Sequence, residues 1–226
     1  TGFLALAAKD GVQDRTSPSR DLPRLEKGPA YSDPAPRDLR RSTSEDGSND
    51  EWPTYRGDSL RSGHTETAVP NELEQIWQIE LGGKLSPPVA AGGKIYLAQI
   101  ESHCIHCLEA KDGAPVWTFT AGARIDSPPT IYQGLVLFGC RDGWVYCLRA
   151  ADGKLRGRYR VAPDERRIAA FDQLESIWPV PGSVLMLDDV AYVSAGRSSF
   201  VDGGVRLCGL KPETGELLHE TCVEGP

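Results

Sequence analysis

Nothing in this chain of 226 residues approaches eighteen consecutive apolar residues, and no charged segment followed by an apolar run opens it. Neither a membrane-spanning helix nor an export signal is therefore written in it. Excess positive charge is also missing. Lys and Arg total 25 against 32 Asp and Glu, a formal net charge of −7, which argues against a general binder of phosphate backbones and so against a nucleic-acid partner. The glycine patterns that cradle nucleotides, Gly-x-Gly-x-x-Gly and the P-loop, do not occur. The four histidines, His64, His103, His106 and His219, have no serine or cysteine elbow nearby to form a nucleophile–base pair. Helical periodicity is absent as well.

What is present is a repeat. The pattern Leu-x-Ala/Pro-x-Asp/Thr-Gly occurs at residues 6–11, 108–113, 148–153 and 210–215. Gly113 and Gly153 stand 40 residues apart, while intervals of 102 and 62 separate the other closing glycines. A period near 40 made of short extended runs and turn glycines indicates the blades of a β-propeller. Eight residues before each glycine stand Phe3, Ile105, Val145 and Leu207, and six before it Ala5, Cys107, Cys147 and Gly209. Strand side chains alternate between faces, so each large–small pair shares one face, and its small member lets a neighbouring sheet approach. The Asp-Gly or Thr-Gly that follows closes a hairpin, with a side-chain oxygen for nearby amides and a glycine that accepts positive φ. Upstream of two copies lie strand pairs at residues 89–98 and 130–139, each introduced by Ser-Pro-Pro, 41 residues apart. Proline cannot donate to a ladder and marks a strand's beginning or an edge. A third, drifted version runs from Gly182, Ser183 and Val184 to residues 190–193.

This pattern divides the chain. Residues 1–11 read as the end of a preceding blade, and residues 52–226 as blades interrupted by an insertion at 162–204. Residues 12–51 mix five prolines with serines and interleaved charges. They bury too little to offset ordering, and read as a linker or surface insertion with Arg40 and Arg41 solvated. Seven or eight blades of roughly 40 residues need about 300 residues. The expectation is an all-β partial propeller of about three to four blades, a piece of a larger domain.

Six cysteines are present. Cys107 and Cys147 hold the same place in the repeat, so buried thiols acting as small hydrophobes are expected rather than a disulfide framework. Cys104, His106 and Cys107, with His103 beside them, offer metal-ligand chemistry at Cys-x-x-Cys spacing. Strand alternation, however, sends His106 and Cys107 to opposite faces, and no second pair completes four ligands. A packed strand with one polar residue outward is the expectation, and no metal site.

Three segments carry a resemblance. Residues 52–63 (Trp-Pro-Thr-Tyr-Arg-Gly-Asp through Ser62-Gly63), followed by Ile76-Trp77, look like the opening of pyrroloquinoline-quinone-type (PQQ-like) propeller proteins. Ala110-x-Asp112-Gly113-x-x-x-Trp117 is similar to that family's tryptophan-docking motif, in which a ring at one strand packs onto the next blade. Arg124-Ile125-Asp126-Ser127-Pro128-Pro129 with Gly143-Trp144-Val145-Tyr146 resembles PQQ-like propellers of environmental bacteria, including planctomycete-type proteins. The docking position departs from the pattern in the next two copies, where Gly157 and His219 replace Trp. The resemblance implies a PQQ-like propeller in the quinoprotein alcohol dehydrogenase-like superfamily and an extracytoplasmic, periplasmic location. Its members include PQQ- and calcium-dependent dehydrogenases, many with adjacent cysteines that this chain lacks. They also include non-catalytic scaffolds.

Loops carry function in such a frame more often than strands do. Within 162–204 stand Arg166, Arg167, Asp172, Glu175, Trp178, Arg197 and Asp202. An aromatic ring with nearby Arg and Glu can bind a planar anionic ligand by stacking and charge-assisted hydrogen bonds. Equally, Glu175 and Arg197 can form a structural salt bridge closing an irregular blade. Arg141, Asp142 and Trp144, in a hairpin loop, invite the same two readings. The sequence therefore points to a scaffold for protein partners or a small-molecule ligand, with no catalytic constellation. Its alternative is a quinoprotein-type oxidoreductase holding PQQ on the channel axis, with Trp178 or Trp144 stacking and Glu175 or Asp126 near calcium.

Overall fold

The computed structural model describes residues 23–33 and 51–225, and every regular element among them is a strand. In chain order these are β1 (Leu25–Lys27), β2 (Val89–Ala91), β3 (Lys94–Gln99), β4 (Cys104–Glu109), β5 (Pro115–Thr120), β6 (Thr130–Tyr132), β7 (Leu135–Gly139) and β8 (Trp144–Arg149). There follow β9 (Leu155–Arg160), β10 (Arg167–Ala170), β11 (Gln173–Ser176), β12 (Leu185–Leu187), β13 (Val190–Ala195), β14 (Val205–Leu210) and β15 (Leu217–Val223). They form sheets ordered β2-β3-β4-β5, β1-β9-β8-β7-β6 and β12-β13-β14-β15, with the separate hairpin β10-β11. Each large sheet is an antiparallel meander in which chain neighbours pair. This is the blade pattern of a propeller, and the described sheets make a partial one.

Burial explains the sequence of the middle sheet. All of β7, Leu-Val-Leu-Phe-Gly, is buried, because sheets cover both its faces and the polar half of the usual alternation is not needed. Val136 and Phe138 point into the core shared with the first sheet, beside Ile105, Cys107, Tyr146 and Leu148. Leu137 points the other way, to Val145, Val180, Val193 and Cys208 between the second and third sheets. Fully burying a side chain such as that of Phe138 stabilises by roughly 1.5–3 kcal/mol. The large–small pair behaves as its spacing predicts in two copies: Ile105 and Cys107 face the second sheet, while Val145 and Cys147 face the third; in the last copy Leu207 is exposed instead, and the pair Phe3 and Ala5 lies outside the described residues. All six cysteines are free thiols, and burial pushes the Cys107 thiol up to about 11. His106 bonds Thr118 Oγ1 and Gln99 Oε1, each at 3.1 Å, from the opposite side of β4. Among the described residues no three His, Cys, Asp or Glu side chains gather as metal ligands.

The segment after Glu51 crosses the first strands of all three sheets. Trp52 bonds Ala90 of β2 through both backbone groups, at 2.8 and 2.9 Å, and Pro53 O accepts from Ile131 N of β6 at 2.7 Å. Arg61 Nη1 donates to Ser183 Oγ, just before β12, at 2.8 Å.

Two boundaries differ from the sequence expectation. The stretch 12–51 contains β1, which pairs with β9 in the register Leu25↔Tyr159, Glu26↔Arg158 and Lys27↔Gly157. The stretch 162–204 is not one insertion: it holds the hairpin β10-β11, then two regular strands of the third sheet, then the loop 196–204. The preceding blade end at 1–11 and the pair Arg40-Arg41 lie outside the described residues.

Candidate functional site

Alternating strand direction gathers the loops in two sets. The short turns within strand pairs, such as Gly92-Gly93 and Asp112-Gly113, lie at one end of the sheets. The loops joining second to third strands, and the connections from sheet to sheet, lie at the other. That second end carries the candidate site. Two of its loops and the end of β11 are joined by main-chain bonds: Arg141 N donates to Arg124 O at 2.9 Å, and Ser176 N donates to Arg141 O at 2.8 Å.

Their side chains form a row of alternating charge. Arg124 Nε donates to Asp126 Oδ1 at 2.7 Å, and Arg141 pairs with the other oxygen of Asp126. Arg141 Nη1 reaches Glu175 Oε2 at 3.1 Å, and Arg197 pairs with Glu175 Oε1. Burial works against the Arg141 charge, but Asp126 and Glu175 together hold its guanidinium above the ordinary range. Glu175 is only 3% exposed, a position a carboxylate tolerates when paired from both sides.

Phe171 caps this row. Its ring centre lies 4.9 Å from the Arg124 guanidinium carbon and 5.3 Å from that of Arg141, while 64% of the residue stays exposed. It sits at the tip of β10-β11, where Ala170↔Gln173 is the closing pair, and both Phe171 (φ 52°) and Asp172 (φ 59°) are left-handed. Such turns usually carry Asn-Gly, because a bulky residue there costs about 1–2 kcal/mol. His103 Nε2 lies 3.0 Å from Gln173 Oε1, which ties the hairpin back over the first sheet. Ile168 and Leu174, also on the hairpin, are 38% and 57% exposed.

Of the six residues singled out from sequence, the structure brings together Arg141, Glu175 and Arg197. The others lie elsewhere. Asp142 turns inward, accepting from Trp144 N at 3.1 Å and from the Tyr146 hydroxyl at 2.5 Å. Trp144 is buried between the first two sheets, with the Arg158 guanidinium 4.3 Å from its ring centre. Trp178 is buried between the second and third sheets; its indole N–H donates to Asp202 O at 2.7 Å, and Arg166 covers its ring at 4.6 Å. Sequence reasoning missed Phe171 as a cap and Arg124 as a partner of Asp126; the Arg-x-Asp spacing was the available signal for the second.

These residues do not fit PQQ with calcium in the roles considered. Both tryptophans are buried with an arginine on the ring, and Glu175 and Asp126 are each shared between two guanidinium groups, which repel a divalent cation. The arrangement suits a rigid, charge-balanced support for the hairpin.

A family model described as outer membrane protein assembly factor BamB matches residues 68–226. The outer membrane protein assembly factor BamB of Burkholderia pseudomallei is 29% identical over 167 residues, 73% of this chain and 39% of that protein. Among solved structures, the quinohemoprotein alcohol dehydrogenase of Comamonas testosteroni matches with a TM-score of 0.61 at 17% identity, over 76% of this chain and 27% of its own. BamB of Moraxella catarrhalis matches with a TM-score of 0.51 at 22% identity, over 66% of this chain and 44% of its own. The two structural matches show the shared propeller fold, and the chain spans about two fifths of the length of the Burkholderia relative. The chain belongs to the PQQ-like β-propeller family described as outer membrane protein assembly factor BamB.

Proposed function

We propose that this chain is part of a non-catalytic scaffold that docks a protein partner on the loop end of its sheets, through the hairpin β10-β11. The observation that carries this reading is Phe171. A large aromatic residue occupies a left-handed turn position and remains mostly exposed, although glycine or asparagine would relieve the backbone there. Strain of this kind is retained where the side chain itself is needed. Ile168 and Leu174 extend the apolar surface, and exposed apolar clusters on a monomer mark interaction sites. The charge row beneath holds the hairpin in place and leaves the carboxylates engaged.

The relatives' name supports a partner within outer membrane protein assembly and an extracytoplasmic location. Among the described residues no helix is long and apolar enough to cross a membrane.

The test is quantitative co-purification of the full-length protein from its own host. Phe171→Asp with Leu174→Asp is expected to lower partner recovery about tenfold or more, with thermal unfolding unchanged. Lys111→Glu, at the opposite end of the strands, leaves recovery intact. Equal recovery from all three proteins overturns the reading.

A further inference from the structure

The turn glycines that follow the third strands of the sheets are covered in two different ways. Trp77 donates its indole N–H to Ala110 O at 2.9 Å and its ring covers Gly113, where an added Cβ would stand 2.7 Å away. Trp117 repeats this on Ala150 O, at 2.9 Å, and on Gly153. The equivalent position at the next junction is Gly157, which offers no ring to Gly215. Residues 23–33 fill that place. Leu25 Cδ1 lies 2.7 Å from where a Cβ on Gly215 would stand, and the Tyr31 hydroxyl donates to Thr214 O at 3.1 Å.

This segment is held as a peptide ligand is held. Along the outer edge of β9, Arg160 N donates to Arg24 O and Gly28 N to Arg156 O, each at 2.7 Å, and Ala30 N donates to Leu155 O at 3.0 Å. Arg24 reaches across to the third sheet, donating to both oxygens of Glu220 at 2.9 and 3.0 Å. Gly28 passes so close to β9 that a Cβ would stand 2.2 Å from Leu155 O. Ala30 is fully buried, and the buried Arg156 donates to Tyr31 O and Asp33 O at 3.2 and 2.9 Å. Main-chain pairing on a sheet edge supplies affinity and side-chain slots supply specificity, the division of labour in strand addition.

The geometry points to a peptide-binding groove at the second-to-third junction, with residues 23–33 as its built-in, exchangeable ligand. The peptide class it takes is extended, with arginine followed by a branched aliphatic residue, glycine three positions after the aliphatic one, then Ala and Tyr at the places of Ala30 and Tyr31. Trp117 sits within β5 and cannot leave without unpicking its own sheet. Residues 23–33 pair only on an outer edge and belong to the same chain as the groove, so their occupancy rests on the effective concentration that covalent linkage gives. A partner's segment of the same pattern competes for the groove on equal chemical terms.

The experiment uses the whole chain with a specific protease site placed within residues 34–50, folded and then cut. A fluorescently labelled peptide of residues 23–33 is added in excess before dilution, so that exchange is read without an empty groove. The expected result is saturable one-to-one uptake of the peptide with release of the native segment. Peptides carrying Leu25→Asp or Gly28→Val should bind at least about tenfold more weakly. A cut segment that never exchanges shows a permanent joint and overturns the proposal. So does uptake that ignores both substitutions, or loss of the native segment without peptide uptake.

Discussion

Trp117 lies against Gly153 so closely that a Cβ added to the glycine would stand 2.6 Å from the indole ring. The glycine also has a φ of +69°, so any side chain there meets both the ring and an unfavourable backbone. Gly153→Ala should therefore destabilise by about 2–4 kcal/mol, combining left-handed strain with overpacking. Trp117→Phe keeps a ring but loses the bond to Ala150 O, and should cost about 1 kcal/mol or somewhat more. Urea unfolding of both variants checks the order of the two effects.

Glu175 accepts from Arg141 and Arg197 in a nearly closed setting. Removing its charge leaves two guanidinium groups facing each other, and Glu175→Ala should cost about 3–5 kcal/mol. Arg197→Ala in the same chain should recover part of that loss. A double-mutant cycle by thermal unfolding is expected to give a coupling of about 1–3 kcal/mol, and additive losses would show that the row is not a unit.

Glu220 is held below the usual carboxylate range, first by the hydrogen bond from Arg24 and opposed by partial burial. A depressed folded value stabilises the fold above the unfolded value and loses that contribution as pH falls through the folded one. The stability gap between the native chain and Glu220→Gln should be full near neutral pH and shrink below about pH 4.3. Arg24→Ala should remove most of the pH dependence of this gap, as read by unfolding at successive pH values. A gap that grows on acidification contradicts the pairing.

Strain at Phe171 makes a prediction of opposite sign for stability and for binding. Phe171→Gly relieves about 1–2 kcal/mol of left-handed cost while giving up about 0.5–1 kcal/mol of cation–π contact. The variant should unfold at the same temperature or a higher one, yet recover less partner. A clear loss of stability would mean that the ring serves the fold alone.

The repeat made the blades legible. Period, turn glycines and the large–small pair at Ile105/Cys107 and Val145/Cys147 are local features, and each reports the sheet packed on that face. The Ser-Pro-Pro entries likewise fall just before β2 and β6. The site was legible only in part: the pairing of Glu175 with Arg197 was one of its two sequence readings, but Asp126 and Arg141 join them from separate loops through tertiary structure that no spacing encodes. Trp144 and Trp178 each point back between sheets, a burial that proximity to a loop in the sequence does not reveal. The strand at Leu25 was hidden by its composition, since a short edge strand needs little apolar sequence when a neighbouring sheet supplies the slot. Gly157 held the clue, as a missing ring at a docking position requires another filler.

Site-specific photo-cross-linking of the full-length protein in its own host tests the scaffold reading most directly. A cross-linking residue at Leu174, and a control at Lys111 on the opposite end of the strands, report which end meets a partner. The account predicts a discrete protein adduct from position 174, weakened by Phe171→Asp, and none from position 111. Adducts from position 111 alone, or the absence of any discrete adduct from position 174, would contradict it.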